Sequence, residues 1–289
     1  MFDTFRRSYH IFRESLSVLS KDKELLLFPL LSGVFSILAF ASMVTAGWTT
    51  GFFERILNAG ERSFEANVLG YVATFVWYFV SWFIVLFFNV AIIHCARMRL
   101  DGGDPTVADG FRASMQHLGR IAAWALVSAT VGIILKAIAE RSRIVGKIIT
   151  SLVGAAWSIA TFFIVPVMIF ERRSLRESVS ASTALVKKTW GEGLVGHAGL
   201  GAFIMLIALP GLAFPIVGFM ISPTAAVIGL GVMVLYWLIL AIVSSALSAI
   251  YRTGLYLYAS EGRTPAGFTP EYVQGAFASK GGRQVAAVA

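Results

Sequence analysis

The residues in this chain best suited to nucleophilic or metal chemistry are Cys95 and four histidines, His10, His94, His117 and His197, and the histidines are scattered with no paired spacing. A zinc or hydrolytic site needs its ligands at paired spacing, as in HExxH, CxxC or a GxSxG turn, and none of these occurs. Ser20-Lys21-Asp22-Lys23 has the form S-x-x-K but stands on a polar hinge without companion motifs. No catalytic, cofactor-binding or metal-binding residue is assigned, no cofactor is expected, and the chain is read as non-enzymatic. A single cysteine also excludes an intrachain disulfide.

Other residues could do chemistry that belongs to a membrane. His94, Cys95, Arg97 and Arg99 could hold a lipid phosphate, although a basic span end that snorkels to the headgroups is the ordinary reading. Asn89 lies about one turn deeper, where a polar side chain needs a partner, and a helix–helix hydrogen bond is preferred over a ligand contact. Lys136 and Glu140 stand one turn apart and read as an interfacial ion pair, because a proton relay would need acids in the centre of a span and none is there. Pro210-Gly211 and Pro215 interrupt an apolar run, which is either a kink or the discontinuous helix of a transporter.

The elements that must position these residues are transmembrane helices. The 289 residues are 57% hydrophobic and 14% charged, against about 45–50% and about 25% in soluble domains. The pattern predicts an all-α polytopic helix bundle with six spans: Leu25 to Trp48, Val68 to Ile93, Ile121 to Ile138, Ile148 to Phe170, Leu194 to Ile221, and Ser222-Pro223 to Tyr251. Arg6-Arg7 and Ala39-Phe40-Ala41 imitate an export leader, but the apolar run starts near Leu25 and continues past that point, so it is read as a retained first span. Residues 1–260 form a single membrane domain, and 261–289 a polar tail, partly disordered.

Each pair of spans is preceded by a short amphipathic helix expected to lie in the headgroup layer. The first has the stripe Phe2, Phe5, Tyr9, Phe12 and Leu16. The second has Val107, Phe111, Met115 and Leu118. The third has Leu175, Val179, Ser182 and Val186, and opens on the capping box Ser174–Glu177. Of the 24 Lys and Arg, eighteen fall on the side of the termini and these helices, which places both termini in the cytoplasm.

The stretch Pro166 to Gly193 resembles an uncharacterised bacterial family of six-helix integral membrane proteins. That family is remotely similar to the membrane domain attached to some glycerophosphoryl diester phosphodiesterases. The resemblance rests on Pro166, Glu171, Ser178, Ser182, Lys187, Trp190 and Gly191, with Lys23-Glu24 and Phe28-Pro29 near the start. It implies the six-helix fold and a location in the bacterial inner membrane. It supplies no catalytic residues, since the phosphodiesterase site belongs to a separate soluble barrel.

Two function classes follow. The first is a scaffold, assembly factor or membrane-homeostasis component whose cytosolic collar contacts anionic headgroups through Arg6, Arg7, Arg97, Arg172, Arg173, Lys187 and Lys188. In that reading Asn89, Pro166, Trp190, Gly191, Pro210 and Pro215 serve packing or kinks. The second is a permease or lipid transporter that uses the Pro-broken fifth span. Expected partners are membrane lipids with anionic headgroups and, as a second class, other membrane proteins, without nucleic acid.

Overall fold

The structure is a computed structural model that describes residues 2–58, 64–141, 145–171, 173–188 and 192–263. All its regular elements are helical. They are α1 (Phe2–Lys21), a 3-10 turn (Lys23–Leu26), α2 (Leu27–Thr49), α3 (Phe52–Asn58), α4 (Phe64–Leu100), α5 (Val107–Gln116), α6 (Leu118–Arg141), α7 (Val145–Ala160), α8 (Ile164–Phe170), α9 (Leu175–Lys188), α10 (Glu192–Ala208), a second 3-10 turn (Leu209–Leu212), α11 (Ala213–Ile221) and α12 (Pro223–Glu261). Among the described residues, six helical stretches are long and apolar enough to cross a membrane: Lys23–Thr49, Val68–Leu100, Leu118–Ala139, Ile148–Phe170, Leu200–Ile221 and Pro223–Glu261. This is the architecture of a multi-pass membrane protein.

Two spans run on well past the bilayer. With 37 and 39 residues, α4 and α12 are about 55 and 58 Å long, against roughly 30 Å of hydrocarbon. The extra length carries the burial. In α12 the lipid-length half exposes Val227, Ile228, Val234, Leu235 and Ile239, whereas Ala246, Leu247, Ile250, Tyr251, Leu255, Tyr256 and Leu257 are buried. Burial on every side of a helix needs protein all round it, not lipid.

Tertiary contacts group the chain into two interleaved units. In the first (Met1–Leu26, Cys95–Thr106, Ala184–Ala289), α12 packs on α1, α10, α11 and the first 3-10 turn. The α11–α12 hairpin is unusually close. A Cβ added at Gly218 would lie 2.4 Å from the Ala225 carbonyl oxygen, and one at Gly229 would lie 2.4 Å from that of Phe214. Glycine is required at both by backbone proximity. Ser222 caps α12 by accepting the Ala225 N–H at 3.1 Å, with Pro223 at the first helical position.

In the second unit (Leu27–His94, Val107–Thr183), α2 meets α4 through Phe35–Phe88 and Phe40–Trp77. Helices α6 and α7 pair around stacked Trp124 and Trp157, with centroids 5.6 Å apart. Phe111 of α5 enters a cluster with Phe28, Phe87 and Phe88.

The buried face of each short helix includes a serine, and on α9 Ser182 and Val186 of the expected stripe are buried. The inner side of α1 is Ser15, Val18 and Leu19, while Leu16 is 39% exposed; α5 buries Gly110, Ala113 and Ser114, and leaves Met115 58% exposed; α9 buries Ser178, Ser182 and Val186. Small residues let another helix approach closely, as on the buried faces of α5 and α9.

Candidate functional site

Polar chemistry in the first unit concentrates where α4 and α12 end. The last turn of α4 carries Arg97 and Arg99, with Asp101 and Asp104 following, and α12 closes on Glu261 before Arg263. Four of these side chains form a closed ring of alternating charge. Arg97 Nη2 donates to Glu261 Oε1 at 2.7 Å, and Arg263 Nε donates to Glu261 Oε2 at 2.6 Å; Arg263 Nη2 reaches Asp101 Oδ1, and Asp101 Oδ2 lies 3.5 Å from Arg97 Nε. All four are partly exposed, so each link is a modest interaction, strengthened by closure of the network. The two carboxylates hold the Arg263 guanidinium protonated above its ordinary range, Glu261 contributing most.

Beside the ring, Arg99 grips the Asp22 carboxylate with Nε and Nη2 and reaches Asp104 Oδ1 at 2.5 Å. Asp22 is 7% exposed, so this bidentate pair supplies the partner that a buried carboxylate needs. It ties the hinge after α1 to the end of α4.

Two breaks in the spans form the second polar feature. In the second unit, α7 stops at Ala160 and α8 starts at Ile164. Pro166 lacks an N–H, and its ring crowds the carbonyl four residues back, so the ladder fails one turn upstream of the proline rather than at it. The Ile164 N–H turns to Thr161 O and the Phe162 N–H to Ile159 O. Ser182 of α9 supplies what is lost. Its Oγ accepts the Phe163 N–H at 3.1 Å and donates to Ala160 O at 2.7 Å.

In the first unit, Pro210 and Pro215 shorten the fifth span's ladder into the 3-10 turn Leu209–Leu212. The path stays helical, with Ala208, Leu212 and Ala213 all in the right-handed region. Two carbonyls just ahead of this turn accept from side chains. Tyr236 Oη donates to Ile207 O, and Trp237 Nε1 donates to Ala208 O at 3.1 Å.

Basic side chains also finish helix C-termini, where carbonyls lack intrahelical donors. Arg120 Nη1 donates to Met168 O of α8 at 2.8 Å, and Lys188 Nζ donates to Ala259 O of α12 at 3.0 Å. The capping box of α9 closes as its spacing predicts. Ser174 N–H donates to Glu177 Oε2 at 3.0 Å, and Glu177 N–H to Ser174 Oγ at 3.4 Å. The Ser174 bonds hold the Glu177 carboxyl below its ordinary value.

Of the bases that the sequence assigns to headgroups, Arg97 sits in the ring, Arg173 pairs with Glu171 at 2.6 Å, and Lys188 caps α12. Lys187 is exposed. Arg172, Trp190 and Gly191 lie outside the described residues, as do the side chains of Arg6 and Arg7 on α1 and residues 264–289 of the tail. Asn89 Oδ1 is buried with no hydrogen-bond partner among the described residues. The structure thus gives Asn89 no helix–helix bond through that oxygen. Asp22, Asp101, Glu261, Arg120, Tyr236 and Trp237 make contacts that their sequence surroundings do not announce. Ser182 does carry a signal, as a polar residue in an apolar stripe. Among the described residues, no three His, Cys, Asp or Glu side chains gather closely enough to hold a metal ion.

Comparison with known families matches residues 68–268 to DUF6159, described as a family of unknown function. No curated protein matches the chain.

Proposed function

The chain belongs to DUF6159, a family of unknown function, and from that premise we propose a non-enzymatic membrane protein that acts as a scaffold, assembly or membrane-homeostasis component in contact with anionic lipid at its polar helix ends. One observation favours this over a permease. A carrier's discontinuous helix offers its freed carbonyls to the solute. Here two carbonyls just ahead of the 3-10 turn, Ile207 O and Ala208 O, accept from Tyr236 and Trp237. The break in the fourth span is closed by Ser182.

The polar ends carry eighteen of the 24 bases, and in this reading they face the cytoplasm from the bacterial inner membrane, with both termini on that side. The ring of Arg97, Glu261, Arg263 and Asp101 neutralises itself, which leaves headgroup contact to other bases.

Cysteine accessibility tests the choice. Ile207→Cys and Ala208→Cys are made in a Cys95→Ala background and treated in sealed vesicles with a membrane-impermeant maleimide. A scaffold leaves both unlabelled from either side. Labelling that follows a water path to residue 207 or 208 would establish the permease instead.

A further inference from the structure

We infer that the outer face of α1 docks on the anionic membrane surface. This inference rests on the lipid-contact reading above and gives it a specific location. Helical period places Arg13, Leu16, Ser17 and Ser20 on one side of α1, with Lys21 at its edge, and Phe12, Ser15, Val18 and Leu19 on the other. The inner side is occupied. Ser15, Val18 and Leu19 are buried, Phe12 meets Phe203 at 4.8 Å, and α1 packs on α10 and α12.

Arg13, Leu16, Ser17, Ser20 and Lys21 are all exposed, and Lys23 follows, also exposed. No ion pair engages Arg13, Lys21 or Lys23 among the described residues, in contrast to Arg97, Arg99 and Arg173. Glu24 is the only acid exposed along residues 12–24. An unpaired cluster of bases around an exposed leucine complements a layer of anionic headgroups over acyl chains.

Chain connectivity supplies the position. Lys23 is the first residue of the stretch Lys23–Thr49 that crosses the membrane, so this face is tethered within a few residues of the bilayer. The inner side of the same helix is taken up by α10 and α12, so the outer face is the side left to headgroups.

The test uses the full-length protein in nanodiscs of phosphatidylcholine, alone or mixed with phosphatidylglycerol, carrying a spin label at Leu16→Cys in the Cys95→Ala background. Phosphatidylglycerol is expected to raise the label's collisions with oxygen and lower those with a water-soluble nickel chelate. In the combined variant Arg13→Gln, Lys21→Gln, Lys23→Gln that response disappears, each lost base weakening the contact about fivefold. The combined variant Arg173→Gln, Arg176→Gln, Lys187→Gln keeps it. Mass spectrometry of retained lipid separates the two levels of the argument. A wild type that retains no excess phosphatidylglycerol overturns the lipid-contact reading altogether. A wild type that retains it, with a Leu16 label that stays aqueous or with the α1 variant retaining as much, overturns the α1 face alone.

Discussion

Ser182 stands 3.1 Å from the Phe163 backbone N–H and replaces the carbonyl that the broken fourth span no longer presents to it. The same hydroxyl donates to Ala160 O at 2.7 Å. One side chain on a helix that the sequence reads as interfacial therefore holds a membrane span together at its break. Ser182 and Phe163 are fully buried, so water cannot take over the bond between them.

Ser182→Ala leaves the buried Phe163 N–H without its acceptor, while Ala160 O keeps the Thr183 hydroxyl at 3.5 Å, and is expected to destabilise the protein by about 1–2 kcal/mol. Ser180→Ala, on the exposed side of the same helix, is expected to change stability by less than about 0.5 kcal/mol. Thermal unfolding in detergent compares the two. Equal melting temperatures would show that Ser182 does not hold the break.

Glycines separate by what surrounds them. Gly218→Ala and Gly229→Ala drive a methyl into backbone atoms at 2.4 Å, and since backbone cannot yield cheaply, each should cost more than about 2 kcal/mol or abolish folding. Gly33→Ala and Gly231→Ala meet nothing within 4 Å and are expected to be neutral or to stabilise by up to about 1 kcal/mol through helix propensity. Yield and melting temperature of the four variants check the contrast.

A double-mutant cycle on Arg97→Gln and Glu261→Gln reads the ring. The pair is 2.7 Å apart with side chains 28% and 32% exposed, so a coupling of about 0.5–1 kcal/mol is expected, declining in high salt as the charges are screened. A coupling near zero at low salt would remove the ring's structural role.

The α9 capping box carries a pH signature. The carboxyl of Glu177 is held below its ordinary 4.5, first by the Ser174 hydrogen bonds. The charged form is therefore favoured in the folded state, and its contribution is complete above about pH 4.5 and is lost as the pH falls through the lowered value. Amide exchange across α9 should accelerate only in that acid range. In Ser174→Ala the exchange should already be fast at neutral pH, with its acid step gone.

Local rules made part of this legible in advance. The capping box at Ser174–Glu177 and the Ser222-Pro223 start of α12 depend on residues three apart, so their types and spacing predict their bonds. The ring cannot be read this way. Asp101 and Glu261 are 160 positions apart, and nothing near Arg97 says which carboxylate it will meet. Lys188 misleads for a related reason, since it bonds Ala259 O. A base near a span end satisfies the same composition rule whether it faces a headgroup or the last carbonyls of another helix.

By itself the sequence determined that there are six apolar stretches, where each pair is preceded by a short amphipathic helix, and which prolines interrupt the ladders. These follow from hydrophobic length, helical period and missing donors, all of which act within a few turns. Only the tertiary structure decided that the short helices pack through Ser15, Ser114 and Ser182, that α4 and α12 continue past bilayer length into protein, and that Ser182 closes the break in the fourth span while Tyr236 and Trp237 bond carbonyls just ahead of the turn in the fifth. In an apolar medium each unsatisfied backbone group must find a partner, and which side chain arrives depends on how distant helices pack.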